Sequence, residues 1–453
     1  MREIIILAGG RGSKMFPFDK VGSKTMRPLG NKPLLVRMVD TLRSFTGDPV
    51  HIVTLEEFAG TIAAAFADHG AVFVHRLQKT NGSAETLLEG LNHIESETFL
   101  VLHGDTLVDG ESLRMLWNAA APSVLVYPVQ GSPADWICCI PDGGRLKEIG
   151  AHHRGNAMTH QMAGFVLPRS FRTALLYTPE YFPGMKAGEG APRERYLEAA
   201  LSLYLVKNPV AALPGRGLFF DIDKPWHLGE ANCALVEQEC AGLGAVELGE
   251  GSSIDAAADI RGFVRLGRNS RIGKGVSVRG SLAAGDNTLI DSGAVIAGNV
   301  LLGSNTLVTD YAKIHGGSSV GNHCVVDHCA EFLGGILMDR VYLSHYGEIY
   351  GVVGTCVDFG AGTVCGTLRF DDGLPDIRIN GRRERPGSFG CGSFVGDYSR
   401  TGVGTMLMPG CRIGAYCAAG PGLIVQGDYA HNTITRLVQQ VEQKTWGPER
   451  YGW

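Results

Sequence analysis

Read as apolar and polar positions, the chain changes period near residue 248. Upstream, continuous apolar runs, "EIIILAGG" (residues 3–10), "PVHIVTL" (49–55), "AVFVHRL" (71–77) and "TFLVLHGD" (98–105), alternate with "LLVRMVDTLRSF", "GTIAAAFADHG" and "SAETLLEGLNHI". The first kind reads as buried strands and the second, with its helical spacing, as amphipathic helices. Their alternation predicts an α/β domain whose mostly parallel sheet is covered on both faces. Ligands of such sheets bind beyond the carboxyl ends of the strands. "AGGRGSK", "HGD" and "FFDID" all fall at such ends.

From Leu248 the chain divides into sixes, and Leu, Ile or Val opens every hexad to Val326 except the one at Ala284. A helix cannot use this period, because residues six apart lie on opposite sides of it. A prism of short parallel strands can, with one hexad per face and three faces per turn, so that each aliphatic residue stacks on its copy one turn later. The fifth position is small or modest throughout, as at Ser270, Thr288, Thr306 and Cys324. The phase slips after Phe332 and resumes at Val395, Thr401, Leu407, Ile413, Ala419 and Val425. Between them "GTLRFDDGLPDIRINGRRERPGSFG" (366–390) breaks the pattern and predicts a solvated loop thrown out from the coil.

A length of 453 residues predicts two or three domains. The pattern places them at 1–235 and 248–430, joined by a linker over 236–247. The spacing of Ile434, Leu437 and Val441 predicts a C-terminal helix and tail over 431–453, packed on the β domain or a neighbouring subunit. Net charge −5 argues against a nucleic-acid partner, which demands a basic surface. The apolar run Ile4–Ala8 is too short for a membrane span. Eleven cysteines without a C-x-x-C pair favour the reduced thiols of a cytoplasmic protein.

Glycines at 9, 10 and 12 allow a tight turn that brings amide N–H groups against phosphate oxygens. The loop is neither G-x-x-x-x-G-K-[ST] nor a full G-x-G-x-x-G, so its meaning depends on the residues that accompany it. "HCVVDHCAE" carries His323, Cys324, Asp327, His328 and Cys329 without tetrahedral metal spacing, and Cys324 occupies an inward hexad position, which favours a structural role. His152, His153 and His160 read as exposed loop residues.

In order, "LAGGRGSKMFP", "SKTMRPLGNKP", "TNGSAETL", "LHGD" and "FFDIDKPWHLGEAN" resemble the landmarks of sugar-1-phosphate nucleotidyltransferases. With the hexads, and with "FGAGTVCGTLRFDD" similar to the archaeal-type branch, the whole chain resembles the bifunctional uridylyltransferase–acetyltransferase family. That resemblance implies a Rossmann-like nucleotidyltransferase domain followed by a left-handed parallel β-helix. It implies Mg²⁺-dependent transfer from an NTP, UTP or dTTP foremost, to a sugar 1-phosphate. It also implies a homotrimer through the β-helix.

The same resemblance assigns Leu7, Ala8, Gly9, Gly10, Gly12, Gln78, Gly82 and Ser83 to nucleotide binding and Lys24 to the phosphates. Lys14 stands where the family has arginine, which keeps the charge and loses the bidentate fork. Asp105 and Asp221 are the expected metal carboxylates, with Asp223 as competitor for the second. On the sugar side Ala151 and His152 replace Glu and Lys, and Met162-Ala163-Gly164 replaces Asn-Ala-Gly, so that Gly164 alone matches at its ends. This predicts an altered sugar or a decayed sugar site.

In the β-helix Tyr342 takes the position of the family's general-base histidine and His345 that of its tyrosine. Thr367, Gly373 and Asp376 replace an asparagine and two lysines. A tyrosine of pKa ~10 is a poor base near neutrality, so acyl transfer from acetyl-CoA would have to pass to His345. The remaining alternative is a regulatory subunit that binds nucleotide or sugar without turnover.

Overall fold

A computed structural model describes residues 2–152, 157–180, 194–384 and 386–447. The amino-terminal half is built on nine strands in the spatial order 72–77, 50–55, 3–8, 98–103, 160–168, 123–128, 211–214, 145–151, 137–142. The first four are parallel, as the apolar runs predict. Beyond them the sheet turns mixed, because His160–Pro168 runs antiparallel to both of its main neighbours. Successive residues of Glu3–Ala8 serve opposite faces: Ile5 and Leu7 join one core, while Ile4, Ile6 and Ala8 join the other. This period of two buries a strand on both sides. Helix Leu34–Arg43 lays Leu35, Met38, Val39 and Leu42 on the second core.

The hexads form the expected left-handed parallel β-helix. Ile254, Ile272, Ile290, Val308 and Val326 pair in register down one face, and Ile260, Val278, Ile296, Ile314 and Phe332 down another. The third face stacks Leu248, Leu266, Ala284, Leu302 and Val320. Polar fifth-position residues form a ladder inside. Ser270 Oγ donates to the Gly285 carbonyl (2.6 Å) and accepts from the Thr288 N–H (3.0 Å). Thr288 and Thr306 repeat the donation at 2.7 Å each, and Cys324 continues it with Sγ to the Met338 carbonyl. Buried hydroxyls thereby satisfy backbone groups at the coil's corner. The phase slip coincides with an irregularity between Phe332, which pairs with Ile349, and Gly334, which pairs with Tyr350.

Two expectations are corrected. Segment 366–390 leaves the coil, and 368–372 is exposed, but the segment is not solvated throughout. It carries a hairpin, Ile377–Ile379 with Arg382–Glu384, whose Ile377 and Ile379 are buried against Met15, Phe18, Ile222 and Trp226 of the other half. Arg385, part of its basic cluster, lies outside the described residues. The C-terminal helix is absent among the described residues: Ile434–Thr435 adds a strand to the coil, and 436–447 has no regular structure. Gly427 and Asn432 take positive φ (77° and 58°), so the chain turns as the earlier coils do and does not wind.

Helix Pro225–Ala241 crosses the predicted boundary at 235 and lies between the halves. Asn232, fully buried in it, donates to the Gly317 and Gly335 carbonyls and accepts from Ser319 Oγ and the Gly30 N–H, at 2.7–3.2 Å. One side chain thus ties both halves to the helix. No described helix is long and apolar enough to cross a membrane, and every cysteine is a free thiol.

Candidate functional site

A cleft of about 640 Å³ opens beyond the carboxyl ends of strands Glu3–Ala8 and Thr98–His103. Leu7, Gly9 and Gly10 line it, whereas Ala8 is buried, its carbonyl accepting from Thr54 Oγ1 (3.0 Å). Gly12 has φ +71° and lies on the stem of Lys24, where a Cβ would sit 3.2 Å from the Lys24 Cβ. Only glycine lets the loop fold this closely. Ser23 caps the short turn Lys24–Met26, its Oγ accepting from the Thr25 N–H, and this aims Lys24 Nζ at the Asp105 carboxylate, with which it pairs.

Asp105 follows Gly104, whose N–H donates to the Leu7 carbonyl at 2.9 Å. Strand Thr106–Val108 pairs antiparallel with Phe219–Asp221, setting Asp221 opposite Thr106. Asp105 and Asp221, distant in sequence, therefore both line the cleft. Asp223 instead pairs with Lys14 at 3.0 Å, and Lys14 is half exposed.

The electrostatics follow from this crowding. Burial pushes the Asp221 carboxyl up, and the Asp105 charge adds to it; Lys24 offsets only part, leaving a value of about 7. Burial acts against the Lys24 ammonium, but Asp105, Asp223 and Asp221 outweigh it and raise its pKa above the usual lysine range. Burial would likewise raise Asp223, yet Lys14, Lys24 and Lys224 hold it well below the usual carboxylate range. Asp223 also donates its N–H to His227 Nδ1 (3.2 Å), which is neutral because burial and Lys224 lower its pKa to about 3.

On the nucleoside side Gly82 has φ +114°, and a Cβ there would meet the Arg195 carbonyl at 2.5 Å. Arg195 donates its N–H to the Asn81 carbonyl, Ala84 donates to the Arg195 carbonyl, and Ser83 Oγ accepts from the Leu197 N–H. Gly82 and Ser83 thus line the cleft where two chain segments meet. Gln78 is exposed and outside the lining, and Lys79 and Thr80 stand there instead.

The opposite wall is formed by Trp136, Ile137, Gln161 and Met162. Met162 occupies the amide position noted in the sequence. Gly164 lies behind the wall, where a Cβ would strike Leu102 Cδ2 at 2.7 Å, so its smallness serves packing. Ala151 pairs with Ile137. His152 is half-buried: its N–H donates to the Trp136 carbonyl (2.9 Å) and Nδ1 contacts the Ala134 carbonyl (3.1 Å), in place of the exposed role expected. His160 is half-buried too, and His153 lies outside the described residues.

His103 and Glu198 are cleft residues that sequence reasoning missed. Burial disfavours the imidazolium, but the 3.0 Å bond to Glu198 and the nearby carboxylates raise its pKa to about 9. His103 was legible as part of "LHGD"; nothing in the sequence placed Glu198 beside it. In the β-helix Tyr342 and His345 are both exposed, and the His345 ring packs at a tilt on His328, 4.7 Å away. Among the described residues no group of three or more His, Cys, Asp or Glu could hold a metal by itself.

Residues 4–201 match the model of the MobA-like NTP transferase domain. "Bifunctional protein GlmU" of Methanocaldococcus jannaschii is 24% identical, covering 95% of this chain and 97% of its own. The protein of the same name from Methanococcus maripaludis is 26% identical, covering 95% and 96%. A "bifunctional sugar-1-phosphate nucleotidylyltransferase/acetyltransferase" of Sulfurisphaera tokodaii is 34% identical over 96 residues, which span 21% of this chain and 23% of that protein. Over nearly its whole length the chain is similar to these bifunctional proteins, and its amino-terminal part matches an NTP transferase domain. Its wall at Met162 and its corner at Tyr342 depart from the motifs read in the sequence, while Lys24, Asp105 and Asp221 keep them.

Proposed function

We propose that the amino-terminal half transfers a nucleotidyl group from an NTP to a sugar 1-phosphate. An oxygen of the acceptor phosphate attacks the α-phosphorus, the bond to the bridging oxygen breaks, and pyrophosphate leaves. The observation that carries this reading is the constellation of Lys24, Asp105 and Asp221 at the end of the glycine loop. The relatives' names point the same way.

Two partly buried carboxylates, Asp105 and Asp221, line the same cleft, and burial followed by the Asp105 charge raises the Asp221 pKa despite Lys24. That fits Mg²⁺, which takes one or two carboxylates and completes its shell with phosphates and water. When bound, the ion neutralises charge on the phosphate oxygens. The chain's own residues do the rest. Gly9 and Gly10 let the backbone approach the triphosphate, Lys24 and Lys14 supply cations, and Gly82 with Ser83 borders the nucleoside. His103, protonated at neutral pH through Glu198, faces the cleft as a further cation. UTP and dTTP are the favoured donors by resemblance.

The β-helix takes a supporting role in this reading, because the position of the family's base holds the exposed phenol of Tyr342. Half-exposed Met406 and Ile424, on paired strands beside Val364, form an apolar strip that a homotrimer would cover. Pyrophosphate release should be measured across a panel of NTPs and sugar 1-phosphates with Mg²⁺, using Asp105→Asn as the control. Release that requires Asp105 supports the proposal; no release with any pair would overturn it in favour of a binding subunit.

A further inference from the structure

The β-helix excursion 366–390 reaches the nucleotidyl-transfer half beside the segment that carries the acidic residues. Lys224, next in sequence to Asp223, pairs with Glu384 of the hairpin at 3.0 Å, and both side chains are buried (6% and 7% exposed). Ile222, between Asp221 and Asp223, packs in the same cluster as Ile377 and Ile379. The contact is built at several points. A Cβ on Gly229 would stand 2.5 Å from Phe389 Cδ1, so that helix residue has no room for a side chain against the ring. Gly387 likewise has no room for a Cβ beside the Glu230 carboxylate. Arg382 Nη2 lies 3.4 Å from Asp135, next to the cleft residue Trp136.

A buried ammonium must have a counter-charge, and the loss of one partner of a buried pair leaves the other uncompensated. Lys224 is near enough to the acidic cluster to help depress the Asp223 pKa. With Glu384 in place its ammonium has a partner on the hairpin. Without it, the ammonium, 5.8 Å from the ring centroid of the cleft residue Trp136, is left with Asp223, the acidic residue whose charge it already acts on.

We propose that Glu384 is a positioning residue for nucleotidyl transfer: it holds the Lys224 ammonium on the hairpin and so keeps a protein cation from competing for the divalent-metal carboxylates. The β-helix excursion is thereby part of the amino-terminal site. This inference rests on the reading of Asp105 and Asp221 as the metal-binding pair.

The test is Mn²⁺ binding to the full chain in the presence of a non-hydrolysable NTP analogue, followed by the electron paramagnetic resonance signal of free Mn²⁺. Glu384→Gln is expected to bind Mn²⁺ about tenfold more weakly, since a freed unit charge acts at short range in a poorly screened site. The double variant Lys224→Met/Glu384→Gln, which removes the stray cation, is expected to return within about twofold of wild type by the same argument. A merely structural role for the pair would leave affinity unchanged in the single variant, or leave the double as weak as the single; either result overturns the proposal. If Glu384→Gln does not fold, Glu384→Asp carries the test, because retraction of the carboxylate should still weaken Mn²⁺ and unchanged binding would overturn the idea. Wild-type protein that binds no Mn²⁺ would overturn the metal-site reading and this inference with it. Wild-type binding combined with an insensitive Glu384 variant would overturn this inference alone.

Discussion

Arg27 donates to Asp397 across 2.9 Å, joining the turn that presents Lys24 to an outer coil of the β-helix. Both side chains are buried, and the arginine also donates to the Phe18 carbonyl at 2.8 Å. Asp397 in turn accepts from the Thr355 N–H at 2.9 Å. The phosphate-loop region is therefore anchored by a residue that lies far away in sequence.

Removal of one partner should strand a buried charge. Asp397→Ala is expected to destabilise the fold by about 3–5 kcal/mol, read as an earlier transition in denaturant or thermal unfolding. Arg27→Met/Asp397→Leu should recover much of the loss but not all, because the Thr355 N–H still lacks its acceptor. A double variant no more stable than the single would contradict the assignment.

Lys24 and Lys14 differ in setting, and their variants should differ in effect. Lys24 is largely buried against Asp105, whereas Lys14 is half exposed on Asp223. Lys24→Gln should lower the rate of pyrophosphate release about 10²–10³-fold, as loss of a preorganised electrostatic group in a shielded site does. Lys14→Gln should cost less, because solvent screens its charge. Steady-state kinetics on the two variants decides the order.

Gly82 allows the nucleoside edge to close on Arg195. Gly82→Ala combines a strained φ of +114° with a Cβ 2.5 Å from a carbonyl oxygen. Backbone strain of about 1–3 kcal/mol is expected, together with a raised KM for the NTP. An unchanged KM and melting temperature would count against the placement of this segment.

The His51, His75 and His93 rings stack along one edge of the sheet, with His75 Nε2 3.0 Å from His51 Nδ1 and the His75 and His93 centroids 3.7 Å apart. Burial, then the charges of His93 and His51, lowers the His75 pKa to about 4. Because the folded pKa lies below the unfolded value, the unfolded chain takes up the proton first as pH falls. Stability contributed by neutral His75 is full above about pH 6.5, the unfolded value, and is lost as pH falls toward 4. Melting temperature should drop across that window, and His75→Gln should flatten the drop.

Sequence alone determined the elements whose cause is local and repetitive. The six-residue spacing from Leu248 to Val326 points to a three-faced coil, since an α-helix does not return the same face at that interval and the turn-forming residues within each hexad break an extended strand. The apolar runs at 3–8, 50–55 and 98–103 dictate doubly buried parallel strands, and the glycines after Ala8 mark a loop at one strand's carboxyl end. Where one period was sampled too briefly, the reading failed. Ile434, Leu437 and Val441 fit a helix by spacing, yet their segment continues and then leaves the coil, because the turn at Gly427 and pairing with Ala418–Ala419 outweigh helical spacing.

Only the tertiary structure decided which charges meet. It brought Glu198 to His103, separated Asp221 in the cleft from Asp223 on Lys14, and carried Glu384 from the β-helix to Lys224. It also left Gln78 outside the lining and placed Gly164 in the packing behind the wall. Such pairings depend on distances between elements far apart in the chain. Periodicity specifies which face of an element is buried, but the partner across the interface is chosen by how separate elements pack, and charge placed there takes its pKa and its role from that packing.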